Sequence, residues 1–461
     1  MADKSPGKRL LQRLKKILAA DSILTDRESL DKYSTDMADF VGRPLLVLKP
    51  TNIQQVSSVI KLLNVLRIPV VPRGAGSSLT GASVSDGGVI IDTSRLNNII
   101  KIDKVNWYAH VEAGVVIDTL NSELKKYGLF FPPDPASSFM CTVGGAVAEA
   151  SGGLRCVKYG TVKDWVLALK VVLPDGDVAV FGEPLPKNRA GYDITHLFVG
   201  SEGTLGMIVE AWLKLIPVPY NPVSRMFVQF STWEGANQAV MSLRRGMIQP
   251  NLLEFMDRDC IAAVNKELGL KIPEAEATLL IDVEKPLVAP TRDALKKAGY
   301  SGLRVARTEA EAEEMYQARA WTYVAIKKLG SGVMAEDVCV PLERLGEYVN
   351  YAKEVGKRND VRIVVNGHAG DGNVHPTIVY DKNNRKSIQS AKLAFEEICD
   401  YAIKVGGTVT GEHGVGVQKT RMLRKQLQAH GGEAPLRLMK EIKKLFDKND
   451  IMNPGKYVEA A

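Results

Sequence analysis

The chain predicts an α+β fold in two architectural parts, and three observations carry that prediction. Residues 42–219 contain many short apolar runs punctuated by Gly and Pro, with few helical stretches. A stiff, helix-free connector follows, Pro217-Val-Pro-Tyr-Asn-Pro222. Beyond it, apolar strands alternate with longer helical stretches, the pattern of an antiparallel sheet covered by helices.

In the first part, 45–48, 70–72, 89–92, 109–113, 168–173 and 208–215 read as short buried strands, and 53–66 and 117–127 as helices. In the second, 226–230 and 277–283 read as strands among helical stretches at 234–245, 258–268, 308–329 and 342–358. Strands are also expected at 361–365 and 374–380, and 408–416 as a strand entering a glycine loop. A basic helix at 436–446 ends before the turn Asn453-Pro454-Gly455-Lys456. At the start, Leu10, Leu11, Leu14, Ile17 and Leu18 recur at helical spacing. They predict a helix docked on the core, with a membrane-surface helix as the other reading. The implied division is an N-terminal segment at 1–41, a first domain at 42–219, a second at 220–410, and a returning C-terminal segment at 411–461.

The 461 residues are 45% hydrophobic and 25% charged, as in an ordinary globular protein. The net charge of +7 is spread along the chain with no basic stripe interleaved with aromatics, which argues against nucleic-acid binding. Five scattered cysteines form no CxxC pair, so neither a zinc ribbon nor a disulfide framework is indicated, and a reducing, cytoplasmic setting fits. No stretch approaches the roughly 20 apolar residues of a membrane-spanning helix.

Glycine loops dominate the first part. Pro72-Arg73-Gly74-Ala75-Gly76-Ser77-Ser78 follows an apolar strand, and successive backbone amides in such a loop can cradle an anion. It is neither a dinucleotide fingerprint, which would need Gly where Leu79 stands, nor a P-loop, which would need Lys where Ala82 stands. Pro133-Asp134-Pro135-Ala136-Ser137, Thr142-Val143-Gly144-Gly145, Ser151-Gly152-Gly153 and Gly200-Ser201-Glu202-Gly203 follow. Small residues thus recur wherever a large flat ligand would meet backbone.

The second part concentrates imidazoles. The run 366–373 holds three glycines and His368, His375 follows it, and Gly411-Glu412-His413-Gly414 lies some forty residues on. Seven residues apart on one straight strand, the two histidines would face opposite ways, but a folded loop lets them converge. Glu412 can supply an anionic third ligand, with His413 as a neighbouring base. Two His and one carboxylate suit a divalent zinc, manganese or ferrous ion.

The order of glycine loops resembles the FAD domain of the vanillyl-alcohol-oxidase and p-cresol-methylhydroxylase flavoproteins, over 42–219 and again at Asn453-Pro454-Gly455-Lys456. The resemblance implies a two-subdomain FAD-binding domain plus a cap domain. Pro72, Arg73, Gly74, Ala75, Gly76, Ser77 and Ser78 would bind the pyrophosphate. Pro133, Asp134, Ser137, Thr142, Gly144 and Gly145 would line the flavin and ribityl chain, with Gly152, Gly153 and Ile208 flanking the adenine or isoalloxazine. Asn453 belongs to the closing motif. The first loop has no His, so non-covalent FAD is implied.

The histidine motifs resemble the cap of the FAD-linked D-2-hydroxyacid dehydrogenases. That resemblance implies His368, His375 and Glu412 as metal ligands, His413 as base, and Arg319 as the partner of the substrate carboxylate. Ala320 and Thr377 depart from the pattern, where relatives often carry Lys and Asn. The activity implied is oxidation of a D-2-hydroxy acid, D-lactate foremost, with glycolate and D-2-hydroxyglutarate as other candidates. Hydride would pass to flavin N5. With no NAD site and no iron–sulfur ligand set in the chain, the acceptor is expected to be electron-transfer flavoprotein, an iron–sulfur subunit or a quinone, in a complex or oligomer, with contact at the inner face of the membrane. The alternatives are an oxygen-using flavin oxidase and a non-catalytic FAD-binding relay subunit.

Overall fold

The computed structural model describes residues 6–38 and 40–457. It divides into two compact units, one built from the chain up to 151, 161–218 and 413 onward, the other from 152–160 and 219–412.

In the first unit, Leu46–Leu48, Val89–Asp92 and Val70–Arg73 form a parallel sheet, with Ile23–Leu24 antiparallel on one edge. Parallel neighbours need a crossover. Helix Ile53–Leu66 crosses from Leu46–Leu48 to Val70–Arg73, the two strands that flank Val89–Asp92, and is capped by the Asn52 side chain accepting from Gln55 N. Val56, Val59, Ile60 and Leu63 lie at the i, i+3, i+4, i+7 spacing of one buried face. Leu10, Leu14 and Leu18 join that core, as do Ile451 and Met452. Helix Pro6–Leu14 is therefore docked, and the apolar face a membrane-surface helix would need is spent on the core.

A second sheet of the same unit is antiparallel, in the order Ile99–Asp103, Tyr108–Glu112, Met207–Lys214, Val166–Val172, Val178–Gly182. Its two edge strands escaped the sequence reading. They are only partly buried, so their apolar signal is weak.

The second unit is an eight-stranded antiparallel sheet. Seven strands run Gly302–Val305, Val223–Phe230, Ala277–Glu284, Leu252–Asp257, Arg362–His368, Asn373–Tyr380, Gly332–Ala335, and Val338–Cys339 also pairs with Asn373–Tyr380. Helices Arg258–Leu268, Glu309–Ala320 and Thr322–Lys327 cover it through a core that includes Met256, Ile261, Met315 and Val364.

Two expectations are corrected here. The helical stretch 308–329 is two helices broken at Trp321, because the Thr322 hydroxyl takes the Arg319 carbonyl at 2.9 Å and competes with the helix ladder. The stretch 408–416 holds no strand, only an isolated bridge between Thr408 and Cys339, because its amides turn to a buried carboxylate instead.

Among the described residues no helix is long and apolar enough to cross a membrane. Leu14 is fully buried. Leu14→Ala should cost about 3 kcal/mol, seen as a lower urea midpoint with an unchanged slope.

Candidate active site

Strand register builds the centre of the site. Arg362–His368 and Asn373–Tyr380 form a hairpin closed by a turn over 369–372, in which Gly372 has φ +81. The register pairs His368 with Asn373 and Asn366 with His375. Directly opposed residues of an antiparallel pair share a face, as do i and i+2 along one strand. His368 and His375 therefore project from one face as diagonal neighbours, with ring centroids 5.1 Å apart. On the other side, Leu252–Asp257 pairs Met256 with Asn366, and the same register brings Glu254 level with His368. Glu254 Oε1 lies 2.8 Å from His368 Nδ1.

Both imidazoles aim Nε2 at one oxygen of Glu412, at 2.9 Å from His368 and 3.1 Å from His375. A neutral His368 donating from Nδ1 to Glu254 presents a lone pair at Nε2, facing a carboxylate lone pair. The arrangement asks for a cation, proton or metal, among the three atoms. Two ligand atoms at right angles and about 2.1 Å from one ion lie about 3 Å apart. The observed spacing meets that, and the mixed N, N, O donor set fits zinc, manganese or ferrous iron. The electrostatics agree. Burial would lower the His368 pKa, but Glu254 and Glu412 outweigh it and hold the imidazole well above its ordinary value. Burial would likewise raise Glu412, yet His368 and His375 hold it well below the usual carboxylate range. Asp371, in the hairpin turn, is pushed up to about 6 by burial, against the pull of His368.

The His368 ring and the Glu412 loop are each held by a buried acid. Glu254 Oε2 pairs with Arg319 Nη2 at 2.8 Å, so Arg319, Glu254 and His368 form one buried chain. Asp337 is fully buried and organises the Glu412 loop. Its Oδ2 accepts from Thr410 Oγ1 at 2.7 Å, Gly411 N at 2.9 Å and Glu412 N at 3.0 Å, and its Oδ1 accepts from Asn373 Nδ2 at 2.7 Å. A Cβ at Gly411 would stand 2.2 Å from Asn373 Nδ2 and would displace that amide from Asp337. Carboxylates behind metal-ligating imidazoles fix tautomer and ring orientation. Glu254, Asp337 and Asn373 were not singled out from the sequence. For the two acids the one signal is a carboxylate inside an apolar stretch, at Leu252-Leu253-Glu254 and Met334-Ala335-Glu336-Asp337-Val338.

Arg319 is buried, not a surface charge, with Nη1 3.2 Å from Thr322 Oγ1. Thr377 is buried two residues along the strand from His375, whereas Ala320 is exposed. Gly152 backs the ligand loop, since a Cβ there would meet Glu412 Oε2 at 2.3 Å, and Gly153 is buried beside it in sequence. His413 follows Glu412 directly in the chain and begins the C-terminal segment of the first unit.

The first unit holds the other predicted residues. Pro72 and Arg73 end the strand Val70–Arg73, and among the described residues the next five amides, Gly74 to Ser78, donate to nothing in the chain. A run of orphan amides on a partly exposed loop fits the pyrophosphate of a dinucleotide. The Arg73 guanidinium folds back instead, donating to the carbonyls of Thr35 at 2.8 Å and Ser83 at 3.2 Å. Gly76, at φ +72, leaves it room, because a Cβ there would lie 2.2 Å from Nη2. Gly74 packs on Thr142, and Gly144 on Ala113, where a Cβ would come within 2.6 Å of the Ala113 Cβ. Gly144 N and Gly145 N are already bonded, to Ala113 O and Thr142 Oγ1. Pro133 is buried, and Asp134 and Ser137 half-buried, on the loop before Thr142. Ile208 is buried in the second sheet opposite Val171. Asn453, at φ +44, clamps the carbonyls of Ala82 and Glu202.

Comparison with known proteins bears on both units. Residues 44–182 match a family described as FAD binding domain, and 221–457 match FAD linked oxidases, C-terminal domain. The glycolate oxidase subunit GlcD of Bacillus subtilis is 37% identical, covering 92% of this chain and 91% of its own. A D-lactate dehydrogenase of Anaerostipes hadrus is 32% identical, covering 97% and 96%. The solved structure of p-cresol methylhydroxylase with substrate bound superposes with a TM-score of 0.80 over 98% of this chain and 97% of that one, at 20% identity, a likeness of fold.

Asp337→Asn replaces an oxygen acceptor by an amide that cannot serve the same donors. Affinity for zinc or manganese, titrated against a competing chelator, should fall about 10- to 100-fold.

Proposed function

The chain belongs to the FAD-linked oxidases, and from that premise we propose that it oxidises a D-2-hydroxy acid, D-lactate foremost, to the 2-oxo acid. One observation carries the reading, the convergence of His368 Nε2, His375 Nε2 and Glu412 Oε1 next in sequence to His413. FAD, bound without a covalent link, supplies a hydride acceptor, and a divalent cation supplies a Lewis acid for the substrate oxygens.

The chain's own residues do the rest. The amides of Gly74 to Ser78 bind pyrophosphate, and His368, His375 and Glu412 hold the cation. The substrate loses a hydride from Cα and a proton from its hydroxyl, and His413 takes the proton, a task suited to an imidazole near neutrality. Arg319 meets the substrate carboxylate, its fork already oriented by Glu254. Electrons leave to an acceptor protein or quinone, which the reading places at the inner face of the cytoplasmic membrane. The 37% identity to a glycolate oxidase subunit favours glycolate as a second reading, and supports membership of a larger complex.

Anaerobic mixing with D-lactate should bleach the flavin and L-lactate should not; glycolate and D-2-hydroxyglutarate rank the alternatives. No bleaching by any of D-lactate, glycolate and D-2-hydroxyglutarate sinks the proposal. His413→Ala should keep the flavin spectrum and slow its reduction by about 10²- to 10⁴-fold. Arg319→Lys, which keeps the charge but loses the fork, should raise KM more than it lowers kcat in steady-state assay.

A further inference from the structure

The loop that carries Glu412 and His413 is gripped at both ends by buried carboxylates. Asp337 takes the amides of Gly411 and Glu412. On the far side of His413, Glu202 takes the next pair: Oε1 accepts from Val415 N at 2.6 Å and Oε2 from Gly416 N at 2.8 Å. Between these grips Gly414 stands at φ +84, and Gly416 follows at φ +51.

We propose that Glu202 is a positioning residue for His413, its two carboxylate oxygens fixing the backbone on which that imidazole stands. The proposal rests on reading His413 as the base. Three features of the first unit support it. Glu202 itself sits at φ +52, between Gly200 at φ +76 and Gly203 at φ +71. A non-glycine side chain in the left-handed region is strained and persists where its surroundings over-determine it. The turn is pinned accordingly: Glu202 N donates to Ala148 O, Gly200 N to Val147 O, and Asn453 Nδ2 to Glu202 O. Glu202 is also buried, so losing its oxygens would leave two buried amides without a partner.

The third feature is Glu149. A Cβ on Gly414 would stand 2.6 Å from Glu149 Oε2 and 2.7 Å from Glu202 Oε1, so both acids flank one point of the loop. Glu149 Oε2 is buried without a hydrogen-bond partner. Two adjacent buried carboxyls hold one charge more readily than two. The charge belongs on Glu202, which has the two amides and faces Lys456 and Lys419, and the proton on Glu149.

The test uses the FAD-loaded holoenzyme and anaerobic stopped-flow reduction with D-lactate. Glu202→Gln presents an N–H where an oxygen was needed. It should lower the limiting rate of flavin reduction about 100-fold, the scale of a 1 Å misplacement, with substrate dissociation and flavin spectrum within threefold of wild type. Glu149→Gln, already matched to a neutral acid, should stay within threefold throughout. A Glu202→Gln rate within threefold of wild type, equal losses in rate and binding, or an equal loss in Glu149→Gln would each overturn the proposal. If Glu202→Gln yields no folded holoenzyme, hydrogen exchange in the wild type decides: slow exchange at Val415 and Gly416 supports the grip, and exchange at the rate of unstructured chain refutes it. Wild-type flavin that no 2-hydroxy acid reduces would refute the function but leave the exchange measurement to judge the grip.

Discussion

The register of three adjacent strands is the constraint on which the centre of the second unit depends. Leu252–Asp257, Arg362–His368 and Asn373–Tyr380 are aligned so that Glu254, His368 and His375 stand on one face. The side-chain period of a strand is two, so a slip by one residue would turn His375 away from His368 and break its convergence on Glu412. That register is secured by apolar burial, since Phe255, Met256, Val364, Val365, Val374 and Ile378 are all within the core. Chemistry and packing are thus enforced by the same ladder: the apolar residues align the strands, and the alignment assembles the polar ones.

Where regular structure stops, buried carboxylates take over the backbone. Asp337 binds the amides of Gly411 and Glu412, Glu202 those of Val415 and Gly416, and Asp447 those of Ile451 and Met452. Each is an irregular stretch whose N–H groups find no strand or helix partner. A carboxylate accepts several such donors at once, and charge-assisted bonds offset the cost of burying it. In the second unit the pattern fixes the backbone that carries Glu412, and in the first unit the backbone that follows His413.

The glycines divide by task. Among the described residues, Gly74 to Ser78 leave their amides unspent. Gly76 makes room for the Arg73 side chain, and Gly144 for the backbone and Cβ of Ala113. Sequence alone treats these as equivalent small residues near a flat ligand. Only the positions of the atoms around them separate glycines that leave amides for a ligand from glycines that admit a neighbour. Arg73 adds a contact the motif does not show, since its guanidinium braces the loop from within.

The α+β class, the docked N-terminal helix and the two-His, one-Glu set were legible in the sequence, because they follow from apolar periodicity and from residue types with few alternative uses. The edge strands, the break at Trp321 and the strandless 408–416 stretch were not, because weak alternation, one hydroxyl and one distant carboxylate decided them. Least legible were the partners that hold the site. Glu254 lies 114 residues from His368, and Glu202 lies 213 from Val415. Local pattern carries no information about such pairs. Which imidazoles and carboxylate are candidates for the site could be read from the sequence. How they converge, and which buried acids hold them there, was decided by long-range strand register and by the need of every buried amide for an acceptor.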